Sequence, residues 1–391
     1  MSPSLLDGRF ILLLFVVCCS RFLWPAKCYI ILGALVSLAL IALASPMTAA
    51  VIFALTVFFI YPIHRATVWL SSRGAPRTAK GLLLTFGIGV LVCLFCWSKI
   101  ARQTGIHPFL HNWSLAGVIG LSYFLFRAID FLHIQAITKV DERSPAALVY
   151  YGLFPSTLTS GPIQKFLDFK QQISAPAPLT RALVLAASYR ITRGYFRKIV
   201  LASTINHFVE KSLGTEHFNF FKSGLTIALL YVYFYFDFAG YSDIAIGFGS
   251  LLGVKVPENF RKPFLATTVS EFWRNWHITL VDWFRDHVFI PLGGMQVSRL
   301  RAAGLAFLIM VLCGLWHGVS LPFMAWGVWH GSVLFMEGVS GLKPVPPPKR
   351  SGLKYWWRVA STNALVAFGS IFFLPHDGDI LRILKGFITL W

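Results

Sequence analysis

The stretch CYIILGALVSLALIALASPMTAAVIFALTVFFIYPIH, residues 28–64, contains no Lys, Arg, Asp or Glu. A helix needs about 20 apolar residues to cross the hydrocarbon core of a bilayer, and this stretch is long enough for nearly two such helices. Ser45-Pro46 lies near its middle, and a proline ends one helix while allowing the next to begin. The stretch therefore predicts a hairpin of two membrane helices.

The composition of the whole chain also indicates lipid as its solvent. Of 391 residues, 56% are hydrophobic and only 13% are charged, whereas about 25% are charged in a soluble globular protein. Apolar side chains in this proportion would leave large exposed patches on a water-soluble protein. We therefore expect an all-α integral membrane protein, and the composition excludes an ordinary cytosolic one.

Further charge-poor stretches have the length of a membrane helix. The stretch between Arg301 and Glu337 repeats the hairpin pattern, with its break at Leu321-Pro322. Residues 10–19 are followed by no small-residue cleavage site, so we expect a retained anchor there. Single spans are expected at residues 81–98, 115–131, 223–238 and 359–376. The chain as a whole is expected to have about ten membrane segments.

The positive charge of the chain is concentrated in loops. Lys and Arg number 35 and Asp and Glu 16, which gives a formal net charge of +19. No basic, aromatic-rich soluble module accompanies this charge, so we expect no nucleic-acid partner. The loops His64–Lys80 and Gly338–Arg358 are both rich in Lys and Arg. The positive-inside rule therefore predicts that these loops, with Arg73 and Lys349, face the cytoplasm.

The cysteines give no sign of a disulfide framework or a metal centre. All six lie in or beside apolar runs, where packing is their expected role. We expect no metal site. The six are Cys18, Cys19, Cys28, Cys93, Cys96 and Cys313.

Two carboxylates lie in an otherwise aromatic and apolar run, residues 233–243. Asp237 and Asp243 would be costly there without a partner. Each therefore either pairs with a nearby Arg or lines a wet cavity, and a buried pair that only holds helices together is an equally good interpretation. A transporter or export component would instead use these carboxylates for ion coupling, and this alternative stays open.

The run from Glu271 to Asp286 predicts a single interfacial helix. Its aromatic stripe has helical spacing, and Trp is typical of the headgroup level of a membrane. His277 would share a side of that helix with Trp273 and Phe284. Asp282 and Arg285 are three residues apart and could pair locally. The stripe consists of Phe272, Trp276, Leu280 and Trp283.

Two histidines lie in a charge-free stretch. Imidazole can be neutral in an apolar site and still accept a proton near neutral pH, so His317 is a candidate base. Gly318 after it would allow a substrate or a helix to approach closely. His330 lies beyond Pro322, so a face shared with His317 cannot be assumed, and we expect it to matter more for packing than for chemistry.

Several long motifs, in the same order over about half the chain, resemble those of the bacterial membrane-bound O-acyltransferases. The resemblance implies one membrane-embedded acyltransferase domain over residues 1–391, with its motifs in about 150–340. It also implies transmembrane, re-entrant and interfacial helices around a central funnel or tunnel. The motifs are Phe154-Pro-Ser-x-x-x-Ser-Gly-Pro-Ile163, Tyr235-Phe-Asp-Phe-Ala-Gly-Tyr-Ser-Asp-Ile-Ala-Ile-Gly247, Pro257-Glu-Asn-Phe-x-x-Pro-Phe264, Glu271-Phe-Trp-Arg-Asn-Trp-His277, Trp283-Phe-Arg-Asp286, Ile290-Pro-Leu-Gly-Gly294 and Gly314-Leu-Trp-His-Gly318.

The resemblance also implies roles for particular residues. His317, in Trp-His-Gly, matches the principal catalytic residue of the family, and His277 matches a second polar position that some branches fill with Asn. The donor would be an acyl thioester, acetyl-CoA or an acyl carrier protein, with no tightly bound cofactor. Substrate-binding or tunnel-lining candidates are Gly161, Pro162, Asp237, Ser242, Asp243, Arg274, Trp316 and Gly318. We expect Asp237 and Arg274 to face inward, against opposite charge or a wet wall, because charge facing lipid is costly.

The substrate differs between branches of the family, and this chain combines features of two. Leu321 and Asn275 replace residues common in the family, a Trp and the second basic residue of Trp-Arg-Arg-Trp-His. We favour acetyl transfer from a cytoplasmic thioester to a cell-envelope polysaccharide, or to an extracytoplasmic acyltransferase partner of the alginate-acetylation type. D-alanyl transfer from a carrier protein toward a teichoic acid-like polymer is the alternative. The resemblance implies the bacterial inner membrane as the location.

Overall fold

The computed structural model describes residues 14–18, 21–25, 28–104, 118–138, 141–215, 217–346 and 350–388. Within these ranges the chain is helical, and its β-structure is one isolated bridge between Phe260 and Trp276. This confirms the all-α expectation. Lys349 and parts of the candidate spans at residues 10–19 and 115–131 lie outside the described residues.

The first half of the chain forms helices of varied length. One π-helical segment, Leu55–Ile60, lies within a long helix, and another, Phe196–Ala202, joins two helices. The helices are α1 (Tyr29–Ala44), α2 (Pro46–Ser72), α3 (Arg77–Thr104), α4 (Leu121–Ile137), α5 (Pro145–Gly152), α6 (Phe166–Ser174), α7 (Arg181–Tyr195) and α8 (Ser203–Leu213).

The second half contains the longest of the described helices and the histidine-bearing elements. The helices are α9 (Phe220–Leu251), α10 (Val269–Trp273), α11 (Ile278–Phe284), α12 (Arg299–His317), α13 (Leu321–Ser340), α14 (Gly352–Gly369) and α15 (Asp377–Gly386).

Both predicted hairpin breaks are confirmed. Ser45 is extended, with φ −157°, and its Oγ accepts a hydrogen bond from the backbone N–H of Thr48 at 3.3 Å, which caps α2. Pro46 occupies the first turn of α2, where a missing N–H costs nothing. In the second hairpin α12 ends at His317, and Pro322 lies in the first turn of α13.

In the part of the chain that the structure describes, four helices are long and apolar enough to cross a membrane: Pro46–Ser72, Arg77–Ala101, Phe220–Leu251 and Arg299–His317. Helix α1 is apolar but has only 16 residues. Among the described residues, length and composition thus support a multi-pass membrane protein with at least these four spans.

The predicted basic loops are shorter than expected. Helix α2 continues to Ser72, and the turn before α3 is confined to residues 73–76. His64, where the loop was expected to begin, is buried within α2 and accepts the Glu142 backbone N–H at 3.1 Å. The second loop begins only after Ser340, where α13 ends. Basic side chains do not by themselves end a helix.

The chain divides into two compact units. The first comprises Met1–Ile191 with Ile244–Pro257, and the second comprises Thr192–Asp243 with Glu258–Trp391. In the first unit, a Cβ on Gly247 would lie 2.5 Å from Ile191 Cγ1, so the glycine-rich end of α9 serves close packing.

In the second unit, glycines allow α12 and α13 to pack backbone against backbone. A Cβ on Gly327 would lie 2.8 Å from the Met310 carbonyl oxygen, and one on Gly331 would lie 2.9 Å from Phe307 Cδ2. Small residues at such an interface let membrane helices approach closely. This packing fixes the hairpin that bears His317 at its tip.

The expectation of one helix from Glu271 to Asp286 is wrong. Helix α10 ends at Trp273, and α11 begins at Ile278, after a turn. The break occurs at His277, whose φ of +46° lies in the left-handed region that no α-helix contains. The predicted stripe and the shared side of His277, Trp273 and Phe284 therefore do not exist as one helix face.

Candidate active site

His317 is the last residue of α12, and aromatic rings surround its half-buried imidazole. The ring centroid lies 4.8 Å from that of Phe373 and 5.4 Å from that of Trp326, both edge-on. Phe323 stacks at 5.9 Å. This apolar setting is the one expected for a histidine that acts as a neutral base.

Gly318 follows His317 in an extended conformation, with φ 178°, so no left-handed backbone requires a glycine here. A Cβ on Gly318 would lie 2.6 Å from Phe323 Cδ2. The glycine therefore makes room for the ring that stacks on His317. The close approach that the sequence predicted is made by a side chain of the protein itself.

His277 is buried in the turn between α10 and α11. Its ring meets Phe238 edge-on, with centroids 4.6 Å apart. Its Nε2 is buried and has no hydrogen-bond partner among the described residues. A buried polar atom without a protein partner in a functional region is where a substrate group or a water would bind.

Trp316 lies between the two histidines. Its ring centroid is 4.4 Å from that of His317 and 6.1 Å from that of His277. The structure thus brings together, in one aromatic cluster of the second unit, three of the residues singled out from the sequence.

His330 contributes to the wall of this cluster. It is buried, and its ring lies 5.0 Å from Trp273 and 4.9 Å from Trp326. A Cβ on Gly369 would collide with its Nε2. Tight enclosure on these sides agrees with the packing role expected for this residue.

The two carboxylates of α9 are in ion pairs, one of the two arrangements that the sequence left open. Asp243 accepts Arg193 Nη2 and Arg197 Nη1, each at 2.7 Å, and its side chain is only 4% exposed. Asp237 pairs with Lys198. Asp237 thus faces opposite charge, as expected, although its partner is Lys rather than Arg. A substrate-binding role for either carboxylate stays a prediction.

Other residues of the α10–α11 region are more exposed. Arg274 is exposed in the turn after α10, so its predicted inward pairing stays a prediction. Arg285 pairs with Asp282 at 2.5 Å, which confirms the local pairing. The Asp286 carboxylate, 2.8 Å from Arg285 Nε, raises the pKa of this guanidinium.

Gly161 and Pro162 belong to the first unit, in a mostly buried loop after α5. The buried Arg127 of α4 joins the end of α5 to this loop, because it donates from Nη1 to the Tyr151 carbonyl oxygen at 2.6 Å and from Nη2 to that of Thr157 at 3.4 Å. Irregular backbone inside a membrane protein must be satisfied in this way. The structure therefore places this motif in a different unit from the two histidines.

Two further residues that hold the α10–α11 region had no role assigned from the sequence. Asn259 is fully buried and bonds to the segment after His277. Glu337 of α13 accepts the backbone N–H groups of Val269 and Ser270, at 2.7 and 2.8 Å, and so caps α10. The Pro257-Glu-Asn-Phe motif pointed to the first, but only the fold brings the second to α10.

Among the described residues no group of three or more His, Cys, Asp or Glu side chains could hold a metal ion. The cluster around His277 and His317 offers instead imidazole and indole groups in an apolar enclosure. The imidazole groups can take up and release a proton, and the aromatic rings around them can exclude water.

The fold and this cluster define a class: a multi-pass α-helical membrane protein with histidines packed among aromatic side chains. The sequence profile of the membrane-bound O-acyltransferase (MBOAT) family matches residues 133–342, more than half of the chain. The chain belongs to the membrane-bound O-acyltransferase family.

Named relatives come from three kinds of protein. The probable alginate O-acetylase AlgI of Pseudomonas fluorescens is 32% identical over 280 residues, 71% of this chain and 54% of the relative. The teichoic acid D-alanyltransferase of Streptococcus thermophilus is 30% identical over 355 residues, 83% of each chain. The peptidoglycan O-acetyltransferase of Helicobacter pylori is 37% identical over 142 residues, 36% of this chain and 27% of the relative. The chain spans about half to two thirds of the length of the AlgI proteins it matches.

Proposed function

We propose that the chain transfers an acetyl group from a cytoplasmic thioester to hydroxyl groups of a cell-envelope polysaccharide, directly or through a partner transferase. The observation that carries this proposal is the position of His277 and His317 on either side of Trp316, within the region that matches the family. The similarity to the alginate O-acetylases supports acetyl as the acyl group.

In the proposed reaction His317 is the general base. Its imidazole takes the proton of the acceptor hydroxyl while the hydroxyl oxygen attacks the thioester carbonyl carbon. The new C–O bond forms, the C–S bond breaks, and the sulfur leaves as a thiolate that receives the proton from the imidazolium. The surrounding rings Phe323, Trp326 and Phe373 keep water from competing with the acceptor.

His277 would hold one reactant by its Nε2, the buried polar atom that finds no partner among the described residues. A hydrogen bond to the donor carbonyl or to the acceptor would orient that group toward His317. Orientation of this kind contributes through proximity rather than through proton transfer. His277 would therefore contribute less than His317.

D-alanyl transfer is the second candidate. The Streptococcus thermophilus relative matches 83% of this chain and 83% of its own length, a more even coverage than the alginate O-acetylases give. On this alternative the donor is a D-alanyl carrier protein and the acceptor a teichoic acid-like polymer. In this reaction too, His317 would be the general base and His277 would hold one reactant.

The surroundings of the reaction follow from the same proposal. We place the protein in a bacterial inner membrane, with about ten spans around a funnel and all 391 residues in one acyltransferase domain. The partners would be an extracytoplasmic acyltransferase and, for some donors, an acyl carrier protein.

The test uses the purified chain reconstituted in lipid vesicles. Acetyl-CoA labelled in the acetyl group is supplied with alginate, and in parallel a D-alanyl carrier protein is supplied with lipoteichoic acid. Release of free thiol and transfer of label are both measured. Label on alginate supports the acetyl proposal, and label only on lipoteichoic acid favours the alternative. No thiol release from either donor, even after a membrane extract of the source bacterium is added to supply partners, contradicts both.

A further inference from the structure

The turn that bears His277 is paired on both sides with one short segment, residues 259–261. The Arg261 N–H donates to the Asn275 carbonyl oxygen, and the Ile278 N–H donates to that of Asn259, both at 3.0 Å. Between these bonds lies the bridge of Phe260 and Trp276. The backbone before and after His277 is therefore held by the same segment.

In this pairing the segment that contains His277 has one more residue than the segment 259–261 opposite it. Phe260 faces Trp276, but Asn259 faces both His277 and Ile278, since the bond to its carbonyl comes from Ile278. Two residues against one is the arrangement of a β-bulge, and in one common form the first bulge residue is left-handed. The φ of +46° at His277 fits this form.

The Asn259 side chain forms hydrogen bonds with Thr279, the second residue of α11. Its Oδ1 accepts the Thr279 hydroxyl at 2.7 Å and the Thr279 N–H at 3.4 Å. Its Nδ2 donates to Ser242 Oγ of α9 at 3.3 Å. Asn259 is 0% exposed, so these bonds lie away from bulk solvent, where a hydrogen bond is electrostatically stronger.

A left-handed backbone at a residue other than Gly persists only where the surroundings impose it, and such residues cluster at functional sites. At His277 the backbone conformation is imposed by the hydrogen bonds that Asn259 accepts from Ile278 and Thr279. Their effect is to turn the His277 ring toward Phe238 and Trp316 instead of along a continuing helix.

We propose that Asn259 and Thr279 are positioning residues that set the orientation of the His277 imidazole for acyl transfer. The proposal rests on the proposed function. It also assigns Ser242, singled out from the sequence as a tunnel-lining candidate, to the support of Asn259.

Thr279→Val is the decisive variant, because it keeps the shape of the side chain and removes the hydroxyl donor to Asn259. Thr279→Ser, which keeps the hydroxyl, is the matched control. We expect Thr279→Val to lower kcat by about 10-fold to 100-fold with little change in KM, since small misplacements of a positioned group cost that much. Thr279→Ser should stay within about twofold of the unchanged protein.

The variants are repeated in a His277→Ala background, with the acetyl-CoA or D-alanyl donor that the unchanged protein uses. If Thr279 acts through His277, Thr279→Val causes no further loss there. Full activity of Thr279→Val in the unchanged background, an equal loss in both backgrounds, or full activity of His277→Ala would each overturn the proposal. Loss of activity in His317→Ala reports separately on the proposed function.

Folding is checked by size-exclusion profile in detergent. Should Thr279→Val not fold, Thr279→Cys takes its place with the same expectation, because a thiol is a weak donor of similar size. A Ser242→Ala variant leaves Asn259 Oδ1 as acceptor for Thr279 and removes only the acceptor of the Asn259 Nδ2 bond. It should retain more activity than Asn259→Leu, and the reverse order would also contradict the proposal.

Discussion

At the scale of single residues, His277 combines a strained backbone with a buried side chain. A left-handed conformation costs an ordinary residue about 1–2 kcal/mol, and Asn tolerates it better than Ala does. We therefore expect His277→Asn to unfold at a higher temperature than His277→Ala, by an amount that corresponds to about 1 kcal/mol. The measurement is thermal unfolding of both variants in the same detergent.

Equal unfolding temperatures for the two His277 variants would mean that the turn relaxes to a right-handed backbone once the imidazole is gone. The same comparison at Arg274, an exposed residue in the right-handed region, serves as a control. At this position the Asn and Ala variants should unfold at the same temperature.

The two carboxylates of α9 differ in how much of each is buried. Asp243, 4% exposed, neutralises two guanidinium groups, whereas Asp237 is 37% exposed and pairs with one Lys. Removing one partner of a buried pair costs about 3–5 kcal/mol, and an exposed pair contributes about 0–1 kcal/mol. Arg193 and Arg197 are about a third exposed, so water partly screens them. We therefore expect Asp243→Ala to lower the free energy of unfolding by about 3 kcal/mol, the lower end of the range for a buried pair.

Thermal unfolding should therefore rank Asp243→Ala well below Asp237→Ala in stability. The opposite order would mean that the Asp243 cluster is not formed in the membrane. Unchanged folding and activity in Asp237→Ala would show that this carboxylate is incidental.

At the scale of elements, the α12–α13 hairpin is held by contact between backbones. A Cβ at Gly327 would lie 2.8 Å from the Met310 carbonyl oxygen and 2.9 Å from Val311 Cα, and neither backbone atom can move away easily. Overpacking of this kind costs about 1–3 kcal/mol, so Gly327→Ala should be destabilised by that amount. Gly304 of α12 is the matched control, because a Cβ there meets nothing within 4 Å.

We expect Gly304→Ala to keep or raise the free energy of unfolding, by up to about 1 kcal/mol, because Ala has a higher helix propensity than Gly. Unfolding curves of the two alanine variants test the pair together. Similar stability of both would show that α12 and α13 do not pack as closely as the structure has them.

The sequence predicted the elements where local chemistry determines them. Both hairpin breaks follow from a proline, at Pro46 and Pro322, whose effect is local. The break at His277 could not be predicted in this way, because residues 271–286 have helical spacing throughout. It depends on Asn259, eighteen positions earlier in the chain, and only the tertiary fold brings that side chain to Thr279.

At the scale of the whole molecule, the distribution of positive charge sets the orientation in the membrane. Arg73 lies in the short turn between α2 and α3, and Lys349 lies outside the described residues. We expect both to face the cytoplasm. Single cysteines at these positions, in a chain whose six natural cysteines are replaced, should resist an impermeant thiol reagent added to intact spheroplasts.

Labelling after the spheroplasts are opened is the control, and both positions should then react. Efficient labelling of either one before opening would overturn the topology. Together with the candidate site, the topology decides from which side the thioester reaches His317.

The sequence also predicted the membrane class and the residues that meet at Trp316, because these follow from composition and from long motifs. It did not predict the division into two units, with Gly161 and Pro162 in the first and both histidines in the second. Motif order along a chain carries no information on which segments pack together. The assignment of Ser242 to Asn259 likewise required coordinates.

The central claim is that His317 is the base for acyl transfer, and its most direct test is the initial rate of His317→Ala in reconstituted vesicles. Rates are normalised to folded protein and compared with His277→Ala and His330→Ala. Loss of a general base lowers the rate by about 10²–10⁴-fold, so His317→Ala should fold and be at least about 100-fold slower. His277→Ala should keep residual activity, and His330→Ala should lose stability more than rate. A folded His317→Ala protein that retains more than about a tenth of the unchanged rate would contradict the account.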